Sequence, residues 1–323
     1  LDRDLVSAFI ARQRALHPRV FASRDDETIL TSMHVVHRDG DMLRPTLGGL
    51  MSLGIFPQQF FPRLNVTFTV FPGTTKAETT SDGRRFLDAQ TLVGPIPLMI
   101  DDAVNAVVKN MRTGAIIDGA FRKDVPDYPD KAVREAIANA LMHRDYSPDA
   151  RGSQVQVNMY LDRLEILNPG GLFGNVTIET LGHAGISASR NQFLSNILET
   201  TPYPGGGYVV ENRGTGYQVI EEELQEALMP PPEPSNTLTY FSLTFAKRRV
   251  SESERRVIAS DDVETAIIAL LHEQSSASTR ELVELSGLSR SAIVNHLNRL
   301  IKADVIEPTH IARSPKQRYR LKR

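Results

Sequence analysis

The strongest constraint on this chain lies in its last sixty residues, where two short amphipathic segments stand on either side of a glycine turn. Thr279 opens the first, which carries Leu282, Val283 and Leu285. Gly287 breaks it, and Ser289 opens the second, with Ile293, Leu297, Leu300 and Ile301 at helical spacing. An earlier apolar stripe, Val263, Ile267, Leu270 and Leu271, follows Asp262, a residue suited to capping a helix. Val305-Ile306 and Tyr319-Arg320-Leu321 read as short strands flanking the basic loop Arg313-Ser314-Pro315-Lys316. Three helices and a two-stranded hairpin in this order predict a winged helix-turn-helix over residues 261–323. Its third helix turns Arg290, Ser291, Asn295 and Asn298 outward, Arg313 and Lys316 lie in the wing, and Arg318 follows. Side chains of these types reach base edges and phosphates.

Charge supports that reading. The chain carries a net −2, yet Ser278 to Arg323 holds ten Lys and Arg against four Asp and Glu, or +6, and the remainder holds 27 against 35, or −8. A basic module on an acidic body fits a chain of which one part meets a polyanion. Double-stranded DNA is therefore the expected partner, and two half-sites imply a homodimer. Winged helices also serve as protein-protein adaptors, which leaves that alternative open. With 41% apolar and 24% charged residues, neither disorder nor a fibrous repeat is indicated. No apolar run is long enough for a membrane helix and no signal-peptide pattern opens the chain, so a cytoplasmic location is expected. The absence of cysteine rules out disulfides, thiol catalysis and cysteine-based metal sites. The chain begins at Leu1 and passes straight into a helical pattern, from which an upstream segment is expected.

Three regions are expected: a small α+β linking domain over 1–124, a middle domain over 125–248, and the winged helix. In the first, Asp2 to Leu16, Arg44 to Leu53 and Pro97 to Met111 read as helices, and Leu64 to Phe71 alternates with period two as a strand. In the second, Lys131 to His143 is a strongly patterned helix with a stripe of Val133, Ile137, Ala140 and Leu141. Gln154 to Tyr160 and Arg163 to Leu167 form a hairpin turning at Leu161-Asp162. Tyr217 to Leu228 is helical, Pro230 to Pro234 a surface loop, and Leu238 to Phe245 a strand closing the sheet.

Glu135 and Asn139 stand four residues apart on one face of their helix, with His143 a turn further on. A carboxylate there can hold an attacking water, and an amide can ligate a magnesium ion bridging phosphates. An i,i+4 polar pair is also the ordinary wet face of an amphipathic helix. Downstream, Asn168-Pro169-Gly170-Gly171-Leu172 follows a strand, and Gly214-Thr215-Gly216 precedes a helix, an arrangement in which backbone N–H groups can approach an anion. Arg144 and Arg190 are each candidates for a phosphate contact, or for a helix-terminal structural role. The eight histidines show no HxH or HExxH spacing, and no serine lies in a G-x-S-x-G elbow, which argues against a zinc enzyme and a serine hydrolase.

The stretches YPDKAVREAIANALMHRDYS, DRLEILNPGGL, SRN and VVENRGTGYQVI resemble the ATP-binding domain of Schlafen AlbA-type transcriptional regulators, a group also described as RecG-like. That domain is similar in turn to the GHKL ATPases, an α/β sandwich shared by gyrase B, certain chaperones and histidine kinases. The resemblance covers about Pro126 to Phe245. It implies that Glu135 is a water-activating base, that Asn139 is the magnesium ligand, that Asn168 and Gly170 form the adenine-side loop, and that Gly214, Thr215 and Gly216 form the phosphate-side loop. It also implies an AlbA-type domain upstream of Leu1. Two features depart from the GHKL pattern: Asn168 stands where Asp accepts from the adenine amino group, and no extended glycine-rich lid lies between Leu172 and Gly214. The expected architecture is α+β multidomain: a small α+β domain, a GHKL-like α/β sandwich and a winged helix. The expected function is a transcriptional regulator that binds DNA and ATP with Mg2+. The alternatives are a weak ATPase recruited by DNA, and a degenerate nucleotide domain that only dimerises.

Overall fold

The computed structural model describes residues 1–111, 113–118, 121–183, 185–186, 188–209, 214–227, 229–248, 263–286, 290–310 and 317–322. They fall into two units, Leu1–Met111 with Tyr128–Arg248, and Arg112–Asp127 with Arg249–Arg323. Among the described residues no helix is long and apolar enough to cross a membrane.

The first unit opens with helix α1 (Arg3–Leu16), capped by the Asp2 carboxylate, which accepts from the N–H groups of Asp4 and Leu5. Helices α2 (Pro18–Phe21) and α3 (Asp26–Ser32) follow, then a hairpin of β1 (Val36–Asp39) and β2 (Met42–Pro45), and helix α4 (Leu47–Leu53). The helix expected from Arg44 therefore begins later. Arg44 pairs in β2, and Thr46 supplies the cap by accepting from Gly49 N–H at 2.9 Å. Phe9, Ile10, Phe21, Ile29 and Leu53 form a small core, to which Ile197 also belongs.

Strands β3 (Val66–Val70) and β4 (Asp88–Leu92) come next, then helix α5 (Ile96–Asn110). The hairpin β5 (Thr113–Asp118) and β6 (Phe121–Pro126) belongs to the second unit. The first unit resumes with α6 (Asp130–His143), β7 (Val155–Met159), β8 (Arg163–Pro169), α7 (Gln192–Leu198), α8 (Gly216–Glu226), β9 (Glu233–Asn236) and β10 (Tyr240–Ala246). Its six-stranded sheet has the order β4-β3-β7-β8-β10-β9, antiparallel except for the parallel pair β3 and β7. The sheet thus runs across the boundary expected at Asp124. Pro230 to Pro234, expected as a loop, runs into β9, which lies outside β10 at the sheet's edge. A proline is tolerated there because an edge strand has backbone groups with no ladder partner.

Alternation explains the layering. Val66, Phe68, Val155, Val157, Leu164, Ile166, Leu243 and Phe245 are buried on one face and share a core with Ile100, Val133, Ile137 and Leu224 of the helices. Asn158 and Glu165 sit opposite one another in the β7–β8 register and hydrogen-bond at 3.1 Å. Helices over one face of a mixed sheet make this an α/β sandwich.

In the second unit α9 (Val263–Gln274), β11 (Ala277–Ser278), α10 (Thr279–Ser286), α11 (Arg290–Lys302), β12 (Ile306–Pro308) and β13 (Arg318–Leu321) form three helices with a sheet of order β11-β13-β12. Ile267, Leu271, Leu282, Ile293, Leu297, Leu300 and Ile306 fill its core, as the apolar stripes require. The chain is therefore an α+β multidomain protein.

Candidate functional site

Helix α6 organises the first unit's cleft. Its stripe of Val133, Ile137, Ala140 and Leu141 is buried, which leaves Glu135 and Asn139 half-buried on the opposite side. Asn139 Nδ2 donates to Glu135 Oε1 at 3.3 Å. Gly216, the first residue of α8, lies against the same pair. A Cβ placed on it would collide with Glu135 Oε1 and come within 2.8 Å of Asn139 Nδ2, so only glycine lets the α8 N-terminus approach this closely. Lys131 of α6 and Glu223 of α8 form an ion pair at 2.9 Å that ties the two helices together.

At the far end of α6 the chain turns back towards β8, where Asp145 N–H donates to the Pro169 carbonyl at 2.8 Å. Eight residues of helical rise, about 12 Å, separate Glu135 from the end of α6 at His143. Asn168, next to Pro169, is 5% exposed, and its Oδ1 has no hydrogen-bond partner. Gly170 follows at φ +95°, a conformation glycine adopts without strain, and a Cβ there would lie 2.8 Å from Asp145 Cβ. A cleft of about 1070 Å³ joins the two ends, lined by Glu135, Asn139, Asn168, Gly171 and Gly214 to Gly216. The structure brings these sequence-predicted residues to one cavity. Gly170 packs behind it, and Gly171 is the glycine that faces in. The double glycine of NPGG was the signal for that residue.

The remaining polar groups shape the walls. Arg190 donates to the Gly171 carbonyl at 2.9 Å, pairs with Asp145 at 3.3 Å and stacks over Phe173, so it fixes the glycine loop. Asn191 Nδ2 caps the end of α6 by donating to the carbonyls of Met142 and Arg144, each at 2.8 Å. Arg144, weighed as a phosphate contact, is fully buried and points away from that task. It donates to the carbonyls of Ala150 and Ser153 at 3.2 and 2.8 Å. His143 lines the cleft. Burial, reinforced by the nearby Arg190 charge, pushes its imidazole down to about 4, so it is neutral at neutral pH.

The residues fit a nucleotide. An acceptor buried without a partner suits a base amino group, and the positive N-terminus of α8, whose N-cap residue Thr215 makes no side-chain cap, suits phosphate. Among the described residues no three His, Asp or Glu side chains could together hold a metal. A magnesium ion at Asn139 would therefore take most of its ligands from phosphate oxygens and water.

In the winged helix, Ser278 rather than Thr279 caps α10. Ser278 Oγ accepts from Glu281 N–H at 3.3 Å while Glu281 accepts from Ser278 N–H at 2.7 Å. This is a reciprocal capping box, legible in the sequence as Ser-x-x-Glu. Glu281 also binds Arg318 at 2.8 Å, and Arg318 donates to the Ser276 carbonyl at 2.9 Å. Arg318, expected to face DNA, here ties β13 to the start of α10. Asn298 is exposed on α11. Asp262, Gly287, Ser289, Arg313 and Lys316 lie outside the described residues, and for Arg290, Ser291 and Asn295 only the backbone is described.

Comparison with known proteins agrees with this architecture. Residues 152–245 match the family described as putative ATP-dependent DNA helicase recG C-terminal. Residues 260–307 match the winged helix-turn-helix DNA-binding family. The first match begins after α6, so Glu135 and Asn139 lie outside it. The DIP2311 protein from Corynebacterium diphtheriae has a similar fold, with a TM-score of 0.51 at 19% identity over 98% of this chain. This chain spans 61% of the length of that protein. No curated protein matches the chain. The chain thus carries an ATPase-like domain of the RecG C-terminal kind followed by a winged-helix DNA-binding domain.

Proposed function

We propose that this protein is a transcriptional regulator that binds double-stranded DNA through its winged helix and binds ATP with magnesium in the cleft beside α6. The observation that carries the nucleotide half is the convergence of Glu135, Asn139, Asn168 and the α8 N-terminus on one cavity, with a base-side acceptor at one end of α6 and a phosphate-suited end about 12 Å of helix away. In this reading Asn168 accepts from the base. Gly214, Thr215 and Gly216 receive phosphate, and Asn139 ligates magnesium, which supplies charge neutralisation across the phosphates. Gly170 supports the base-side loop from behind. DNA is met by Arg290, Ser291, Asn295 and Asn298 on α11 with Arg313 and Lys316 in the wing, while Arg318 sets the wing's root. A homodimer reads two half-sites. Nucleotide changes DNA affinity to the extent that it binds two conformations differently.

Thermal unfolding with and without magnesium ATP, ADP and GTP, repeated on Asn139→Ala, tests the nucleotide half. Ligand at about a hundred times its dissociation constant adds roughly 2.7 kcal/mol. A magnesium-dependent shift that Asn139→Ala removes supports the reading, whereas no shift with any nucleotide reduces this unit to a scaffold. A second reading, a working ATPase, draws on Glu135, whose carboxylate lies beside the α8 N-terminus where it can hold a water. Phosphate release that stops in Glu135→Gln, with nucleotide binding intact, would favour it.

A further inference from the structure

Asn168 occupies the inward face of β8 in step with Leu164 and Ile166, opposite Phe241 of β10. Two positions before it, Ile166 lines the same cleft, as do Ala140 and Leu243, and these give a flat ring apolar walls. The polar edge of that ring would meet the Asn168 amide, whose Oδ1 is buried without a hydrogen-bond partner. Among the described residues the carboxylates that line the cleft are Glu135 and Glu199. Glu135 lies against Gly216, Glu199 follows α7, and Glu165 of β8 is out of step with Asn168, so the inward face of β8 offers the ring an uncharged amide and no carboxylate.

An amide and a carboxylate read a purine differently. A carboxylate only accepts. Facing the 6-substituent, it satisfies the 6-amino group of adenine and sets lone pair against lone pair at the 6-oxo group of guanine or hypoxanthine, whose N1–H is then the one group left to donate to it. An amide donates and accepts, and a half-turn about Cβ–Cγ exchanges its two ends. In one setting it pairs with the amino group and N1 of adenine, and in the other with the O6 and N1–H of a 6-oxopurine. From this geometry we infer that the cleft accepts 6-oxopurine nucleotides, of the guanosine and inosine type, alongside adenine nucleotides, with Asn168 as the residue that makes both possible. The inference rests on the nucleotide reading above and specifies its ligand class.

Calorimetric titration of the full chain with the magnesium complexes of ATP, ITP, GTP and purine riboside triphosphate tests it. ATP, ITP and GTP bind with dissociation constants within tenfold of one another. Purine riboside triphosphate, which has no group at C6, binds at least tenfold more weakly than any of them. Asn168→Asp then shifts the ratio at least tenfold towards ATP. The four-ligand comparison on the unaltered protein stands by itself if that variant does not fold. ITP binding a hundredfold more weakly than ATP, or purine riboside triphosphate binding as tightly as ATP, overturns the inference and leaves the nucleotide reading standing. Failure of all four triphosphates to bind overturns the nucleotide reading itself.

Discussion

Gly216→Ala separates the cleft's ligand function from its stability. A methyl at this position collides with Glu135 Oε1 and crowds Asn139 Nδ2, so both side chains must move and the space before the α8 N-terminus fills. The backbone itself tolerates alanine, which favours a helix over glycine by up to about 1 kcal/mol, and the atoms that yield are ends of flexible side chains. The folded protein should therefore change in stability by no more than about 1 kcal/mol. Ligand stabilisation behaves otherwise. A shift of roughly 2.7 kcal/mol at saturating nucleotide corresponds, for a unit of this size, to about 5–10 °C in Tm. In Gly216→Ala that shift falls below about 2 °C while the ligand-free Tm moves by less than about 4 °C, both read by differential scanning calorimetry. Retention of the full nucleotide shift would refute the reasoning. A ligand-free Tm lowered by more than about 8 °C would do so too, since it would make the contact structural.

Three further outcomes follow from the geometry. Removing the buried guanidinium in Arg144→Ala leaves the carbonyls of Ala150 and Ser153 without their donor and costs about 3–5 kcal/mol in urea unfolding; a loss under 1 kcal/mol would contradict the role given to it. His143, held at about 4 when folded against 6.5 unfolded, contributes stability that is complete above pH 6.5 and is lost as pH falls towards 4. Its full protonation costs roughly 3 kcal/mol, and His143→Gln should flatten that acid limb of the stability curve. In DNA-binding titrations, Asn298→Ala should lower affinity for a specific site with an unchanged salt slope. Arg318→Ala should also leave the slope unchanged because its guanidinium is held by Glu281 and Ser276, whereas a lost phosphate contact would reduce the slope by about 0.9.

How far the sequence speaks depends on where each element buries its apolar atoms. Helix α6 and the winged-helix core were legible because Val133, Ile137, Leu282, Ile293 and Leu297 all turn inward at helical spacing. Strands β1 and β2 carry no such signal: along Val36–Asp39 only Val36 is buried, and all of Met42–Pro45 is exposed, so nothing alternates. Strand β4 is an edge of polar composition, and β9 is masked by its prolines. In the site, Glu135, Asn139 and the two glycine loops could be named from residue type and spacing. The contact of Gly216 with Glu135 could not, since it joins helices far apart in sequence, and neither could the clip that Arg190 places on Gly171. The ties of Arg318 to Glu281 and Ser276 are hidden for a related reason: a basic residue beside a wing suggests phosphate, and its partner Glu281 is brought near by the fold alone.

The parallel pairing of β3 with β7 also governs when this sheet can exist. Val66 and Val155 are partners, roughly 90 positions apart, so at ribosomal rates of 5–20 residues per second β3 waits about 5–18 s for its neighbour to be synthesised. Until Asp130–His143 has been made, Val66, Phe68 and the apolar side of α5 have neither β7 nor α6 to cover them. The nascent chain is thus open to misassociation once α5 has emerged and before α6 follows, ahead of any of the cleft.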